Sequence, residues 1–381
     1  MIERNLFKLL NKKKKSILLI GPRQAGKSTI MKQMSPDMTI NLMHEPTFFE
    51  FSRDPRELEN RLKASKAKLI FIDEIQRLPS LLNTIQVLID NDPLKYSFLL
   101  TGSSARKLKR GSANLLPGRL HVFHLGALVS SELNYELDDQ KALSYGTLPG
   151  IYTEEDIDSK EQTLVSYAAT YLREEIQAEG LTKNIEGFSR FLSLAAIESA
   201  NFLDLTKLAS EAGVPRQTAG RFFELLEDTL VVRRCETFAS SERKRLVKHP
   251  RFFFFDTGVL NGLLRNFNVS KDRIGKTFET LFFNQVFDSA NSLNLPIRIS
   301  SYRTSNGAEV DFIVEFKNVL WAIEVKAGSN VATSDLRGLK SFREYYGKKC
   351  RTVVAYLGTQ KKNIADVEIW PWQELLREMG L

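Results

Sequence analysis

The hydrophobic pattern of this chain changes character twice. In the first third, short apolar runs end abruptly in glycine, hydroxyl or carboxylate groups. Ser16-Ile17-Leu18-Leu19-Ile20 stops at Gly21, Leu69-Ile70-Phe71-Ile72 at Asp73-Glu74, and Phe98-Leu99-Leu100 at Thr101-Gly102-Ser103-Ser104. Apolar runs of this length, bounded by turn formers, read as strands buried on both faces. Further strands are expected at Met38 to Met43 and His121 to Leu128. Helical segments are expected at Met1 to Asn11, after Ser28, and from His44 to Lys63 with a break at Pro55. Alternating strands and helices predict an α/β class with a parallel, doubly wound sheet.

From Asp156 to Ser199 the apolar spacing turns helical, with Tyr167, Tyr171, Ile176, Phe188 and Phe191 as the expected core. Leu205 to Val214 reads as a short helix stopped at Gly213, and a second helix runs from Pro215 to Glu227. Two strands follow, Leu230 to Cys235 and Arg251 to Phe255, which completes the order of a winged helix.

The last third alternates with period two. A two-residue turn at Lys317-Asn318 pairs Phe316 with Val319. Val310, Phe312, Val314 and Phe316 then share a face with Val319, Trp321, Ile323 and Val325, all apolar. The opposite face pairs Glu309 with Lys326, Asp311 with Glu324, and Ile313 with Ala322. Facing Asp311 and Glu324 repel, and a divalent cation would remove that penalty. Strands at Asn294 to Ser300 and Thr352 to Tyr356, and helices at Ser334 to Tyr346 and Trp372 to Met379, fill the remainder. With Gly146, Pro149 and Gly150 marking a boundary, the expected domains are 1–145, a nucleotide-binding sheet; 146–200, a helical lid or linker; 201–256, the winged helix; and 257–381.

The candidate chemistry begins at Gly21-Pro22-Arg23-Gln24-Ala25-Gly26-Lys27-Ser28, which fits G-x-x-x-x-G-K-[ST] at every fixed position and lies between a strand and a helix. These residues and Thr29 are expected to cradle the phosphates of ATP, with Lys27 at the β/γ-phosphates and Ser28 on Mg2+. Asp73 is expected to hold Mg2+ through water, and Glu74 to orient or deprotonate the attacking water. Thr101 or Ser103 is the candidate sensor of the γ-phosphate. Arg119 reads either as an arginine finger serving a neighbouring subunit of a homo-oligomer or as a solvated surface arginine. Arg173 reads as a lid residue or a surface ion pair.

The run Lys-Leu-Ile-Phe-Ile-Asp-Glu-Ile-Gln at 68–76, with Leu-Thr-Gly-Ser-Ser at 100–104 and Pro-Gly-Arg-Leu at 117–120, resembles the AAA-type ATPases of a poorly characterised bacterial and archaeal family with a C-terminal domain of unknown function. The segments 244–248 and 255–258 match that family too. The resemblance implies an AAA-like core with the acidic and sensor strands adjacent to the phosphate-loop strand. Asp311, Glu324 and Lys326 resemble the D…E-x-K pattern of the PD-(D/E)XK nuclease superfamily. That likeness implies Glu279 as a further acid, a metal on Glu279, Asp311 and Glu324, and Lys326 assisting phosphodiester hydrolysis.

A net charge of +8 and a pI near 9.2 favour a polyanionic partner. DNA would meet Arg216, Gln217 and Arg221 in a groove and Arg243, Lys244 and Arg245 on phosphates; alternatively the winged helix docks a protein. Cys235 and Cys350 form no metal spacing or disulfide framework, which points to a reducing cytoplasm. Lys12 to Lys15 followed by Ile17 to Ile20 imitates a leader, but no apolar run reaches the roughly 18 residues that span a bilayer. The sequence thus supports an Mg2+-dependent ATPase coupled to a DNA- or protein-facing module. It also leaves open an ATP-bound switch with negligible turnover and an ATP-regulated, metal-dependent endonuclease.

Overall fold

The computed structural model describes residues 2–13, 15–103, 118–167, 184–238, 250–304, 306–347 and 349–381. It forms two compact units, one built on Met1–Gly126 and the other on the bulk of 127–381. The division falls earlier than the glycine–proline cluster suggested.

The first unit contains strands β1 (Ser16–Ile20), β2 (Met38–Asn41), β3 (Leu69–Asp73), β4 (Ser97–Gly102) and β5 (Leu120–His124). Their order is β2-β3-β4-β1-β5 and every neighbouring pair is parallel. The sensor strand β4 therefore lies between β1 and the acidic strand β3, which corrects the expectation that both touch the phosphate-loop strand. Alternate residues serve opposite cores. Leu18, Ile20, Ile72 and Leu100 pack on one side, and Ile17, Leu19, Phe71 and Leu99 on the other. This two-sided burial is why the strands read as unbroken apolar runs. It also brings the C-terminal ends of β1, β3 and β4 to one edge, where α/β sheets build sites.

In the second unit, helices Ile185–Ile197, Leu205–Ala212 and Arg216–Asp228 share a core that includes Phe188, Phe191, Leu208, Phe222 and Leu226. The Asp204 carboxylate caps the middle helix, accepting from the N–H groups of Thr206 and Lys207 at 3.1 and 3.0 Å. Strands β6 (Val232–Thr237) and β7 (Arg251–Phe254) pair antiparallel. They continue into a larger sheet with β8 (Arg298–Arg303), β9 (Glu309–Phe316), β10 (Val319–Lys326), β11 (Cys350–Tyr356), β12 (Lys362–Ile364) and β13 (Val367–Pro371). The order is β12-β13-β11-β10-β9-β8-β6-β7, so the sheet runs across the boundary expected at 256–257. β8 starts later than the sequence suggested because Pro296 cannot donate to a ladder.

The β9–β10 hairpin has the expected turn and register. Lys317 and Asn318 carry φ of 48° and 63°, and pairing runs from Val319–Phe316 to Ile323–Phe312. Phe312, Val314, Phe316, Trp321 and Ile323 pack on Phe278 and Phe282 of helix Ile274–Ser292. The pattern breaks at Val310. Ser300 pairs with Ile313 while Tyr302 pairs with Val310, so Asp311 and Phe312 oppose a single residue of β8. This β-bulge turns Val310 into the other core, with Ile313 and Ala322, and re-aims Asp311. The Asp311–Glu324 cross-strand pair is accordingly absent from the ladder. Among the described residues, no helix is long and apolar enough to cross a membrane.

Candidate functional site

The phosphate loop follows β1 directly. Gly21 donates its N–H to the Gly102 carbonyl at 3.1 Å, and a side chain there would place Cβ 2.1 Å from the Leu125 carbonyl oxygen. Gly26, at φ 93°, turns the chain into helix Lys27–Gln33. Lys27 is 4% exposed, and its Nζ donates to the carbonyls of Gly21 and Pro22 at 2.9 Å each. Its carboxylate neighbour Glu74 lies 3.9 Å away, and phosphate oxygens would be stronger acceptors than the two carbonyls. Gln24 and Thr29 are exposed. Arg4, which the sequence did not mark, braces the loop from behind by donating to the Ala25 and Gly126 carbonyls at 2.7 and 3.0 Å.

The acids sit where the three strand ends meet. Ser28 Oγ donates to Asp73 Oδ1 at 2.8 Å, and Thr101 Oγ1 donates to the same oxygen. Glu74 adopts φ 57°, and its N–H donates to Thr101 Oγ1 at 3.0 Å. Glu74 Oε2 accepts from Ser103 Oγ at 3.1 Å and from Gln76 Nε2. Gln76 Nε2 also reaches Ser103 Oγ at 2.9 Å. The loop hydroxyl and Asp73 offer the sparse set of hard oxygen donors that suits Mg2+, which takes its other ligands from phosphates and water.

The second group of acids is arranged differently. Arg251 on β7 is 3% exposed and lies between Glu279 and Asp311. Its Nη2 donates to Glu279 Oε2, and its Nη1 lies 3.4 Å from Asp311 Oδ1. Asp311 Oδ2 accepts the Val325 N–H at 2.8 Å. Lys326 Nζ donates to Glu324 Oε1 at 2.9 Å, while Glu324 Oε2 is buried without a hydrogen-bond partner. Burial, then repulsion from Asp311, raises the Glu279 carboxyl to about 7 against the opposing pull of Arg251. Burial and the same repulsion hold Glu324 well above the carboxylate range. Burial works to lower Lys326, but the charge and hydrogen bond of Glu324, with the charges of Asp311 and Asp335, together outweigh it and the ammonium is raised. Glu309, expected opposite Lys326, lies 3.8 Å from Arg303. Among the described residues, no group of three His, Cys, Asp or Glu side chains is arranged to hold a metal ion, and Glu279 and Asp311 of the expected set meet Arg251.

Residues 13–134 match the family model of an AAA domain. That segment is similar to an AAA domain. Residues 138–270 and 274–375 match two further families, each a domain of unknown function, DUF8612 and DUF4143. The uncharacterized proteins Rv2008c of Mycobacterium tuberculosis and Mb2031c of Mycobacterium bovis are 27% identical over 325 residues, covering 84% of this chain and 71% of theirs. Likeness to solved structures is low. The replication initiator DnaA bound to AMPPCP and single-stranded DNA gives a TM-score of 0.29 at 13% identity, covering 60% of this chain and 90% of that one. VC1899 from Vibrio cholerae gives 0.20 at 11%, covering 96% and 93%. A Pif1 helicase structure gives 0.27 at 13% over 44% of this chain, which spans 51% of that protein.

The segment similar to an AAA domain contains Lys27, Ser28, Asp73, Glu74, Thr101 and Ser103 at one edge. Arg119 lies apart from them, in a two-pronged ion pair with Asp90 at 2.5 and 2.9 Å. Arg216, Gln217 and Arg221 are exposed on helix Arg216–Asp228, with Arg216 Nε 3.2 Å from Thr206 Oγ1. Arg173, Arg243, Lys244 and Arg245 lie outside the described residues. Sequence reasoning missed Gln76 and Arg251. Gln76 stood two places after Glu74 on the acidic run, and the left-handed turn at Glu74 with the short helix Ile75–Arg77 brings its side chain back to Glu74. Arg251 carried no signal, since its partners are far away in sequence.

Proposed function

We propose that this AAA domain binds and hydrolyses ATP with Mg2+ and passes its nucleotide state to the second unit as a DNA- or protein-facing module. The observation that carries the reading is the 2.8 Å contact of Ser28 with Asp73 beside Lys27 and Glu74. It joins the phosphate loop and acidic strand at one sheet edge. Phosphate oxygens would take over the Lys27 hydrogen bonds now made to Gly21 and Pro22. Ser28 and Asp73 would hold Mg2+, which neutralises phosphate charge when bound. Glu74 would accept a proton from the attacking water, with Gln76 and Ser103 fixing the direction of its carboxylate. Binding of a fluorescent ATP analogue with Mg2+ tests the first step. Lys27→Ala is expected to weaken it severely; unchanged affinity would remove the reading.

The same contacts favour a second reading, a slow ATP-bound switch. Glu74 Oε2 is already occupied by Gln76 and Ser103, which would hold the base away from water. Turnover distinguishes the two: Gln76→Ala lowers it if Gln76 aligns Glu74, and raises it if Gln76 restrains Glu74. In either reading the exposed Arg216, Gln217 and Arg221 are candidate contacts to DNA or protein. Arg119 as a finger in a homo-oligomer would require release from Asp90.

A further inference from the structure

Two acids of the second unit, Glu279 and Asp311, flank a cation that belongs to the chain itself. Arg251 offers five N–H donors in a planar fork, and each has an acceptor. Nε and Nη2 donate to the Ala200 carbonyl at 2.9 and 2.7 Å. Nη2 also donates to Glu279, and Nη1 lies 3.4 Å from both the backbone carbonyl and Oδ1 of Asp311. The rings of Phe253 and Phe312 flank the guanidinium, with centroids 5.1 and 5.6 Å away, and close the site to water.

Two backbone features are shaped to this arrangement. Ala200, whose carbonyl accepts twice from Arg251, stands at φ 67° without being glycine. Such a conformation persists where its surroundings over-determine it. The bulge at Asp311 is the second, since it turns that carboxylate toward Arg251. Arg251 belongs to the region matching one family and Glu279 and Asp311 to the region matching the next, so this contact ties the two families' domains into one folded unit.

We propose that Arg251 permanently occupies the position in which the Asp311, Glu324 and Lys326 pattern calls for a divalent cation, making this cluster a metal-free joint between the two domains rather than a hydrolytic centre. Glu279 and Asp311 then serve as countercharges to the arginine. Removing the arginine would leave facing carboxylates with oxygen donors free, which is the composition of a cation site.

The test is titration of Mn2+ into the full-length chain without nucleotide, with free Mn2+ read by electron paramagnetic resonance. Wild type and Asp311→Asn are expected to bind Mn2+ equally. Arg251→Ala is expected to gain one further Mn2+ per chain, lost again when Asp311→Asn is added. Loss of wild-type binding in Asp311→Asn would overturn the proposal, as would a folded Arg251→Ala that binds no more than wild type. If circular dichroism finds Arg251→Ala unfolded, the wild type against Asp311→Asn comparison decides: equal binding supports the joint, and a difference overturns it.

Discussion

Asp73 and Glu74 accept hydrogen bonds from hydroxyls and an amide, with the Lys27 ammonium 3.9 Å from Glu74; Glu279 and Asp311 meet a buried arginine, and Glu324 a lysine. The contrast separates two uses of a carboxylate. Neutral donors exchange readily for water, metal or phosphate, so acids held by them can change partners within a reaction cycle. A buried guanidinium is a fixed countercharge, and breaking such a pair strands the remaining charge in a poorly solvated site. The first arrangement suits chemistry and the second suits architecture.

The largest expected effect falls on the architectural set. Arg251→Met should destabilise the second unit by about 3–5 kcal/mol, because it leaves buried carboxylates uncompensated. Calorimetry of the full chain checks this, and nucleotide affinity should be unchanged. A variant as stable as wild type would mean that the arginine is dispensable and the contrast false. Next in size, Gln76→Ala should slow ATP turnover by about ten- to a hundredfold through loss of Glu74 alignment, with little change in KM. Gln76→Glu, which cannot donate an amide hydrogen to Glu74, should not restore it.

The smallest effect is a pH dependence. The Glu279 carboxyl rises in the folded state to about 7 from an unfolded value near 4.3. A raised acid contributes stability below its unfolded value and loses that contribution as pH rises through its folded value. The second unit should therefore become less stable relative to Glu279→Gln between about pH 4 and about pH 7. Urea melts across that range check the slope, and parallel curves would remove Glu279 as a titrating member.

How legible all this was follows the range of the interactions. The first sheet and its loop were readable because each strand carries its own apolar run and its own polar terminus. Even there the order of β4 and β3 was missed, since adjacency is decided by crossover helices and not by a strand's own residues. The β9–β10 hairpin was readable because Lys317-Asn318 sets its register locally. The bulge at Asp311 was not, because it depends on a third strand, β8. Arg251 was invisible for the same reason: it meets Glu279 and Asp311 only after β7 joins the C-terminal sheet. A pattern of acids records where charge is concentrated; which cation answers it is decided by the fold.

The most direct test is steady-state phosphate release at saturating ATP and Mg2+, measured side by side for wild type, Glu74→Gln and Glu324→Gln. The account predicts turnover in wild type, its loss by about 10²- to 10⁴-fold in Glu74→Gln, and an unchanged rate in Glu324→Gln. Turnover that survives Glu74→Gln, or collapses in Glu324→Gln, would contradict the division of labour between the two sets of acids.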